Sequence, residues 1–513
     1  MHRRDFIRTG TVAGVTGSAV ISGLYQNTLF GNSAGLPIDV PSPYLNKLIV
    51  KPVITGMYHT DIWEGPCRFN VASMEEEKKA ALKAFENFNN AIRNGTFDRS
   101  DVTFLEPSQI LFVEDFKITE GEYKKISDDA RKADVLYISP DGSSVATYDI
   151  AKRYNKPVVL SSGLNCRSVD ISAYCPSNGL ECYIPNSLEE TNQVFNLLKA
   201  RKNFSQTRIL YPTDWGWPSV ASVSGINKPE NLKDTFGIEV ITISYNELAG
   251  EMEKIKNDKS FGRDAGEMAD TMYKNASHSF IDEKYVVSSM EFYQAVVTLM
   301  KNHNCNAFTI ECFEFCTSRL PQQWKITPCL IHTMLKDLGI PSACEGDLGG
   351  LLAMHMLMLL SNKSPHLGNM FYQTNGTGVL TVNHSVPGIK MNGYDKPGLP
   401  YQLGHFVESG WGTKAIVDFM NNDTKDVTVA RMNPQGTGLL VLKGTLLSSQ
   451  GWGEDVVGCH DVANIVGIES GTAEEFVRKQ ADYGNHLPWV YGDYAEQLKK
   501  LGELTGIDVK VVS

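Results

Sequence analysis

The stretch from Pro328 to Met356, PCLIHTMLKDLGIPSACEGDLGGLLAMHM, decides how this chain is read. Cys329 to Leu338 carries helical spacing and stops at Gly339, a residue suited to the left-handed position after a helix end. Ile340 to Cys344 is a short apolar run that reads as a strand. Glu345-Gly346-Asp347 follows, then Gly349-Gly350, then a second apolar helix from Leu351 to Leu360. A helix, a strand, an acidic turn and a helix make up the repeating unit of an α/β sheet. Carboxylates on such a turn, beside a helix N-terminus, stand where α/β proteins place chemistry.

Working outward, the same alternation fills the first two thirds of the chain. Strands are expected at Lys47 to Thr55, Asp134 to Ser139 and Lys156 to Leu160, with short β runs at Val102 to Leu105 and Ile110 to Val113. Helices are expected at Met74 to Arg93, Glu122 to Lys132, Ser144 to Tyr154 and Leu188 to Lys202. Strands rich in β-branched residues and separated by helices imply a parallel sheet. A second unit runs from Arg208 to Tyr211 through Glu239 to Ser244, the helix Ser289 to Asn302 and the strand Ala307 to Cys312 into the opening stretch. From about Phe371 the pattern changes to short alternating strands with Gly and Pro turns (Gly378 to Asn383, Asp426 to Met432, Gly438 to Leu447), then a helix at Tyr494 to Leu501 and a strand at Asp508 to Val512. The predicted fold is α/β, with two doubly wound α/β domains followed by a β-rich C-terminal domain. The boundaries are 1–40 for a leader and spacer, then 41–204, 205–370 and 371–513. Trp215 to Lys233 and the polar stretch Asn257 to Asp282 read as loops or lids.

A chain of 513 residues exceeds one core and suggests roughly two to four domains. Its net charge of −11 argues against nucleic-acid binding, since no basic stripe is available to displace counterions. The ten cysteines are scattered, several within apolar runs, which reads as buried thiols rather than a disulfide framework. Arg3-Arg4-Asp5-Phe6-Ile7-Arg8, followed by a small-residue apolar stretch from Thr11 to Leu24, resembles a twin-arginine export signal. It implies a periplasmic location, or a cytoplasmic one if the signal is not used. No other segment is long and apolar enough to cross a bilayer, so no stable span is expected once the signal is removed.

Side chains able to carry chemistry are acidic at Glu311, Glu314, Glu345 and Asp347. Imidazoles in turn contexts are His384, His405, His460 and His486. A mixed carboxylate and imidazole site suits Mn²⁺ or Mg²⁺ more than Ca²⁺. H-E-x-x-H, paired C-x-x-C, Walker A and dinucleotide fingerprints are all missing, which weighs against zinc hydrolases, ATPases and nicotinamide enzymes. Each candidate also has a purely structural reading. Asp347 can serve as an N-cap and Glu345 as an acid at a helix N-terminus. His332 and His355 lie within apolar helices as core residues, and Cys312-Phe313-Glu314-Phe315-Cys316 reads as a strand end packing into a core.

The segment Ala343-Cys344-Glu345-Gly346-Asp347, the apolar helix after it and Ser364-Pro365-His366-Leu367-Gly368-Asn369 resemble the metal-binding core of the L-fucose isomerase and L-arabinose isomerase superfamily. Gly484-Asn485-His486 with Gly492-Asp493-Tyr494, a helix and a last strand resemble its C-terminal end. Members of that superfamily use a divalent metal, usually Mn²⁺, to interconvert aldoses and ketoses. The resemblance implies Glu345 as metal ligand and proton carrier, with His384 and His486 as further ligands. About two dozen residues past Glu345, where the family has a second carboxylate, this chain has Asn369. An amide oxygen there can coordinate a hard ion but cannot act as a base, which leaves Asp347 and Glu314 as candidates for the second acid/base role. The implied activity is metal-dependent isomerisation of a free monosaccharide through an enediol, in a homo-trimer or homo-hexamer. A non-catalytic sugar-binding protein, or an epimerase or lyase acting on carbohydrate, are the alternatives on the same scaffold.

Overall fold

The structure, a computed structural model, describes residues 40–512 apart from 62–63, 66–72, 114–116, 142, 162, 217–224, 374–377 and 469–470. The paired-arginine segment lies outside the described residues, as does part of Trp215 to Lys233.

Six strands form the first sheet: β1 (Leu48–Tyr58), β2 (Val102–Phe104), β3 (Ser108–Val113), β4 (Val135–Ser139), β5 (Val158–Leu160) and β6 (Cys182–Tyr183). All pair in parallel, in the order β2-β1-β4-β5-β6, with β3 also on β1. Alternate residues feed two separate cores. Val135, Tyr137 and Val159 pack on one face, while Leu136, Ile138, Val158 and Leu160 pack on the other. Period-two side chains buried on both sides are what a doubly wound sheet requires.

The second unit contributes β7 (Arg208–Pro212), β8 (Glu239–Ile243), β9 (His278–Ser279), β10 (Ala307–Ile310) and β11 (Ser342–Cys344). Four of these form a parallel sheet in the order β11-β10-β7-β8. The chain moves from β7 to β8 on one side and then to β10 on the other. The carboxyl ends of β7 and β10 therefore flank a topological switch point, with that of β11 next to it. The apolar helix Leu348–Ser361 is buried from Leu348 to Leu360. A helix apolar on every side needs neighbours on every side, and this one touches β11, the helix Leu188–Ser205 and two strands of the third region.

That region holds β12 (His366–Gln373), β13 (Val379–His384), β14 (Tyr401–Val407), β15 (Trp411–Val417), β16 (Asp426–Met432), β17 (Gly438–Gln450), β18 (Asp461–Gly467), β19 (Leu487–Tyr491) and β20 (Asp508–Val512). The order β16-β19-β12-β13-β18-β17 closes on itself through pairing of β16 with β17, giving a six-stranded barrel with β20 added in parallel to β17. Leu380, Val382, Val427, Val429, Leu440, Leu442, Ile465 and Trp489 share one core, while Met432, Leu439, Val441 and Val490 join the core around the apolar helix. This is the in–out alternation of a small barrel. The β14–β15 hairpin extends the other way and pairs with β9. The expected order of α/β, α/β and β-rich regions is the one observed.

Three local expectations fail. Asn257 to Asp282 is largely the helix Lys259–Asn275, whose Ala265, Met268, Ala269 and Met272 form a narrow buried stripe within a polar sequence. Cys312 to Cys316 belongs to a short helix, Cys312–Thr317, capped by Glu311, and not to a strand end. The predicted helix Glu122 to Lys132 breaks at Ile126 into Glu120–Lys124 and Ser127–Lys132.

Candidate functional site

The site begins with the backbone of the acidic turn. Glu345 follows β11 directly with φ of 61°, and Gly346 continues at 64°. A left-handed conformation costs a non-glycine residue about 1–2 kcal/mol, and such residues collect where surrounding structure holds them for a purpose. In a regular strand, Cys344 and Glu345 would point to opposite faces. The left-handed step breaks that alternation, and a hydrogen bond from Gly346 N to Ile310 O (3.1 Å) pins the turn to β10.

The result is convergence. One ligand atom from each of Cys344, Glu345, His384 and His486 lies within 4.8 Å of the others. His384 is the last residue of β13. Its Nε2 stands 3.1 Å from Glu345 Oε1 and 3.3 Å from Cys344 Sγ, while its Nδ1 faces Cys459 Sγ at 3.6 Å. His486 precedes β19, its ring centroid 5.1 Å from that of His384. The contact of its Nδ1 with Asp347 Oδ2, at 3.3 Å, is misaligned for a hydrogen bond, and among the described residues its buried Nε2 has no hydrogen-bond partner.

Charge in the cluster is mutually supported. Burial opposes charge on His384, yet Cys459 and Glu345 raise its pKa to about 10. Burial alone would raise the Glu345 carboxyl, but His384 and His486 bring it below the usual carboxylate range. The Cys344 thiol is pushed well above its ordinary value, chiefly by burial and by a hydrogen bond with Cys312.

Asp347 is placed differently from Glu345. Its Oδ1 accepts from Gly350 N at 2.9 Å, the N-cap of the apolar helix, and its Oδ2 accepts from Arg431 at 2.5 Å. Neither partner of that ion pair has exposed side-chain surface. Burial pushes the Asp347 carboxyl up, but Arg431 and His486 outweigh it and hold the group far below the usual range. Arg431 also donates to the carbonyls of His486 and Tyr483, at 2.9 and 3.1 Å. A Cβ at Gly350 would collide with the Asp347 carboxylate, and one at Gly349 would come within 3.3 Å of the guanidinium, so the paired glycines make room for the ion pair. Asp347 and Arg431 thus fix both the start of the helix and the backbone that carries His486.

Glu314 lies in the first turn of the short helix after β10 and answers to backbone. Its carboxylate accepts from Thr213 Oγ1 at 2.7 Å and from the amides of Asp214 and Trp215 at 2.6 and 2.9 Å, so it organises the turn after β7. Asn369 pairs in register with Asn383, one residue short of His384, and strand alternation directs it away from the side taken by His384. Its Oδ1 accepts from Asn485 Nδ2 at 2.6 Å. His405 and His460 face Asp455 and Glu454 and stand apart from the cluster. His332 and His355 are buried in their helices, as read from the sequence.

Sequence reasoning passed over Cys344, Cys459 and Arg431. Arg431 had a readable signal: a lone guanidinium inside Val427-Thr428-Val429-Ala430-Arg431-Met432 has to meet a buried anion. The thiols had none, since a buried cysteine and a ligating one look alike in sequence.

The donor set fits a divalent cation. It offers a carboxylate, two imidazoles and a thiol converging on one point, and the bare His486 Nε2 is a buried polar atom that a cation would satisfy.

No protein-family model matches the chain. It is similar to the sulfoquinovose isomerases of Priestia aryabhattai and Priestia megaterium (strain ATCC 12872 / QMB1551), each 21% identical over 329 residues, covering 62% of this chain and 67% of the relative. It is also similar to the sulfoquinovose isomerase of Alkalicoccus urumqiensis, 23% identical over 289 residues, covering 54% of this chain and 59% of that protein. This chain therefore has distant relatives that are named as isomerases of a sugar.

Proposed function

We propose that the chain is an aldose–ketose isomerase-like enzyme acting on a free monosaccharide, with Cys344, Glu345, His384 and His486 as the residues that hold a divalent cation. The observation that carries this reading is the gathering of those four side chains at the carboxyl edge of a parallel sheet, where α/β folds bind ligands. The names of the distant relatives point the same way. A divalent ion in such a site supplies Lewis acidity toward a carbonyl and the hydroxyl beside it.

Glu345, ionised and 14% exposed at its side chain, is the base. It takes the proton from the carbon next to the carbonyl, giving an enediol, and returns it to the neighbouring carbon, while a hydroxyl proton passes between the two oxygens. Neither Asp347 nor Glu314 is arranged to share this task. Asp347 is locked to Arg431, and Glu314 is engaged by Thr213 and two backbone amides. Glu345 therefore serves as a single base on one face of the enediol. Asp347, through Arg431, positions the backbone that carries His486, and His384 and His486 would hold the cation beside the reacting carbons. The reading extends to export by the twin-arginine route and to a closed homo-oligomer, trimer or hexamer, both resting on the sequence resemblance.

The test is a panel of aldoses, sulfoquinovose among them, incubated with the protein in deuterated water and followed by NMR. Ketose formation with deuterium entering the carbon-bound position is the expected result. Binding of a sugar with neither turnover nor exchange would replace the reading with that of a sugar-binding protein.

A further inference from the structure

We infer that Cys344 is a thiolate ligand of this site, so that the site selects a thiolate-tolerant ion such as Zn²⁺, Co²⁺ or Fe²⁺ over Mn²⁺ or Mg²⁺. The inference deepens the proposed function and rests on its metal site, but not on its sugar chemistry.

Three observations carry it. The first is backbone geometry. Cys344 and Glu345 are consecutive, and only the left-handed φ of 61° at Glu345 lets both side chains reach one point. A thiol serving merely as core filler needs no such arrangement. The second is spacing. Around a four-coordinate ion with metal–sulfur bonds of about 2.3 Å and metal–nitrogen bonds of about 2.0 Å, sulfur and nitrogen ligands sit roughly 3.5 Å apart. Cys344 Sγ lies 3.3 Å from His384 Nε2, and that same nitrogen is 3.1 Å from Glu345 Oε1. Those two separations are already those of neighbouring ligands, and all four ligand atoms lie within 4.8 Å of one another. The third is the bare Nε2 of fully buried His486, which points to a ligand not otherwise supplied.

The composition of the donor set follows from where other groups went. Asn369, the hard oxygen ligand implied by the resemblance, has its Oδ1 accepting a hydrogen bond from Asn485 Nδ2. Asp347 is taken by Arg431. With those oxygens committed, the remaining donors are one carboxylate, two imidazoles and one thiol, and sulfur with nitrogen favours zinc, cobalt and iron. Cys459 completes the picture from behind. With Nε2 of His384 facing the cluster, the Cys459 thiol at Nδ1 fixes the ring's orientation, the place usually filled by a carboxylate or carbonyl. On binding, the Sγ–metal bond forms as one proton leaves Cys344 for solvent.

The experiment uses the full-length protein stripped with chelator and titrated with Co²⁺ alone. The expected result is one cobalt per chain with a near-ultraviolet thiolate-to-cobalt charge-transfer band and strong visible bands of a tetrahedral site. Cys344→Ser should lose the charge-transfer band and weaken cobalt binding. Cys312→Ser should keep the band. Should Cys344→Ser fold poorly, X-ray absorption on the unaltered zinc-loaded protein reads the same bond directly, as a sulfur neighbour at about 2.3 Å. Cobalt bound with no thiolate band, a band that survives Cys344→Ser, or no cobalt bound at all would overturn the inference. The two readings fail separately: a thiolate band without sugar turnover would sink the isomerase and leave the ligand standing. Turnover with a purely oxygen and nitrogen shell around the ion would do the reverse.

Discussion

Glu345 and Glu314 occupy nearly equivalent places and lead opposite lives. Each follows the carboxyl end of a parallel strand, β11 and β10, which are neighbours in one sheet. Glu314 receives two backbone amides and a hydroxyl and thereby builds the turn after β7. Glu345 stands in a strained conformation with an imidazole and a thiol as its close side-chain company. A carboxylate surrounded by main chain holds architecture together, because those donors cannot leave. One surrounded by titratable side chains keeps a charge that a cation or a substrate proton can use.

Substitution should separate the two. Glu345→Gln removes the proposed base and is expected to lower turnover about 10²–10⁴-fold, with the melting temperature and circular dichroism little changed. A Gln variant retaining full activity would end the distinction. Arg431→Met leaves the Asp347 carboxylate buried without its guanidinium, and breaking such a pair costs about 3–5 kcal/mol. Denaturant unfolding measures it, and a loss below about 1 kcal/mol would show that the pair is not integral to the helix start. Glu314→Gln places an amide group where an acceptor is needed and should cost about 1–3 kcal/mol of stability, while the activity of the folded fraction stays little changed. If activity instead collapsed with stability intact, Glu314 would belong with Glu345.

The smallest effect concerns protons elsewhere in the same strand–helix unit. Burial holds the His355 imidazole down to about 3. The unfolded chain binds that proton near pH 6.5 and the folded chain does not until about pH 3, so stability falls as pH drops through that window. From pH 7 to 5.5 the loss is roughly 1 kcal/mol for this residue. His355→Leu should remove that part of the pH dependence, measured as the difference in unfolding free energy at the two pH values.

Much of this was legible in sequence. The Pro328–Met356 stretch announced helix, strand, acidic turn and helix because Gly339 and the apolar periods fix each boundary, and all four are present. Glu345, His384 and His486 were named from sequence and do meet. What sequence withheld was decided by pairing across the fold. That Asn369 would turn to Asn485, and that Asp347 would meet Arg431, depend on barrel register and on a strand more than eighty residues away. The polar look of Asn257 to Asp282 hid a helix because four small or flexible residues suffice to bury one narrow stripe.

The ring of strands has a kinetic meaning. His384 and His486 sit on β13 and next to β19, strands separated by β12, and Cys344 and Glu345 arrive from a different sheet. No local segment presents more than two of these donors, so the set is complete only when β19, β12 and β13 have paired against the second sheet. An ion held there would be a late guest, leaving the refolding rate untouched and acting as a latch that slows opening.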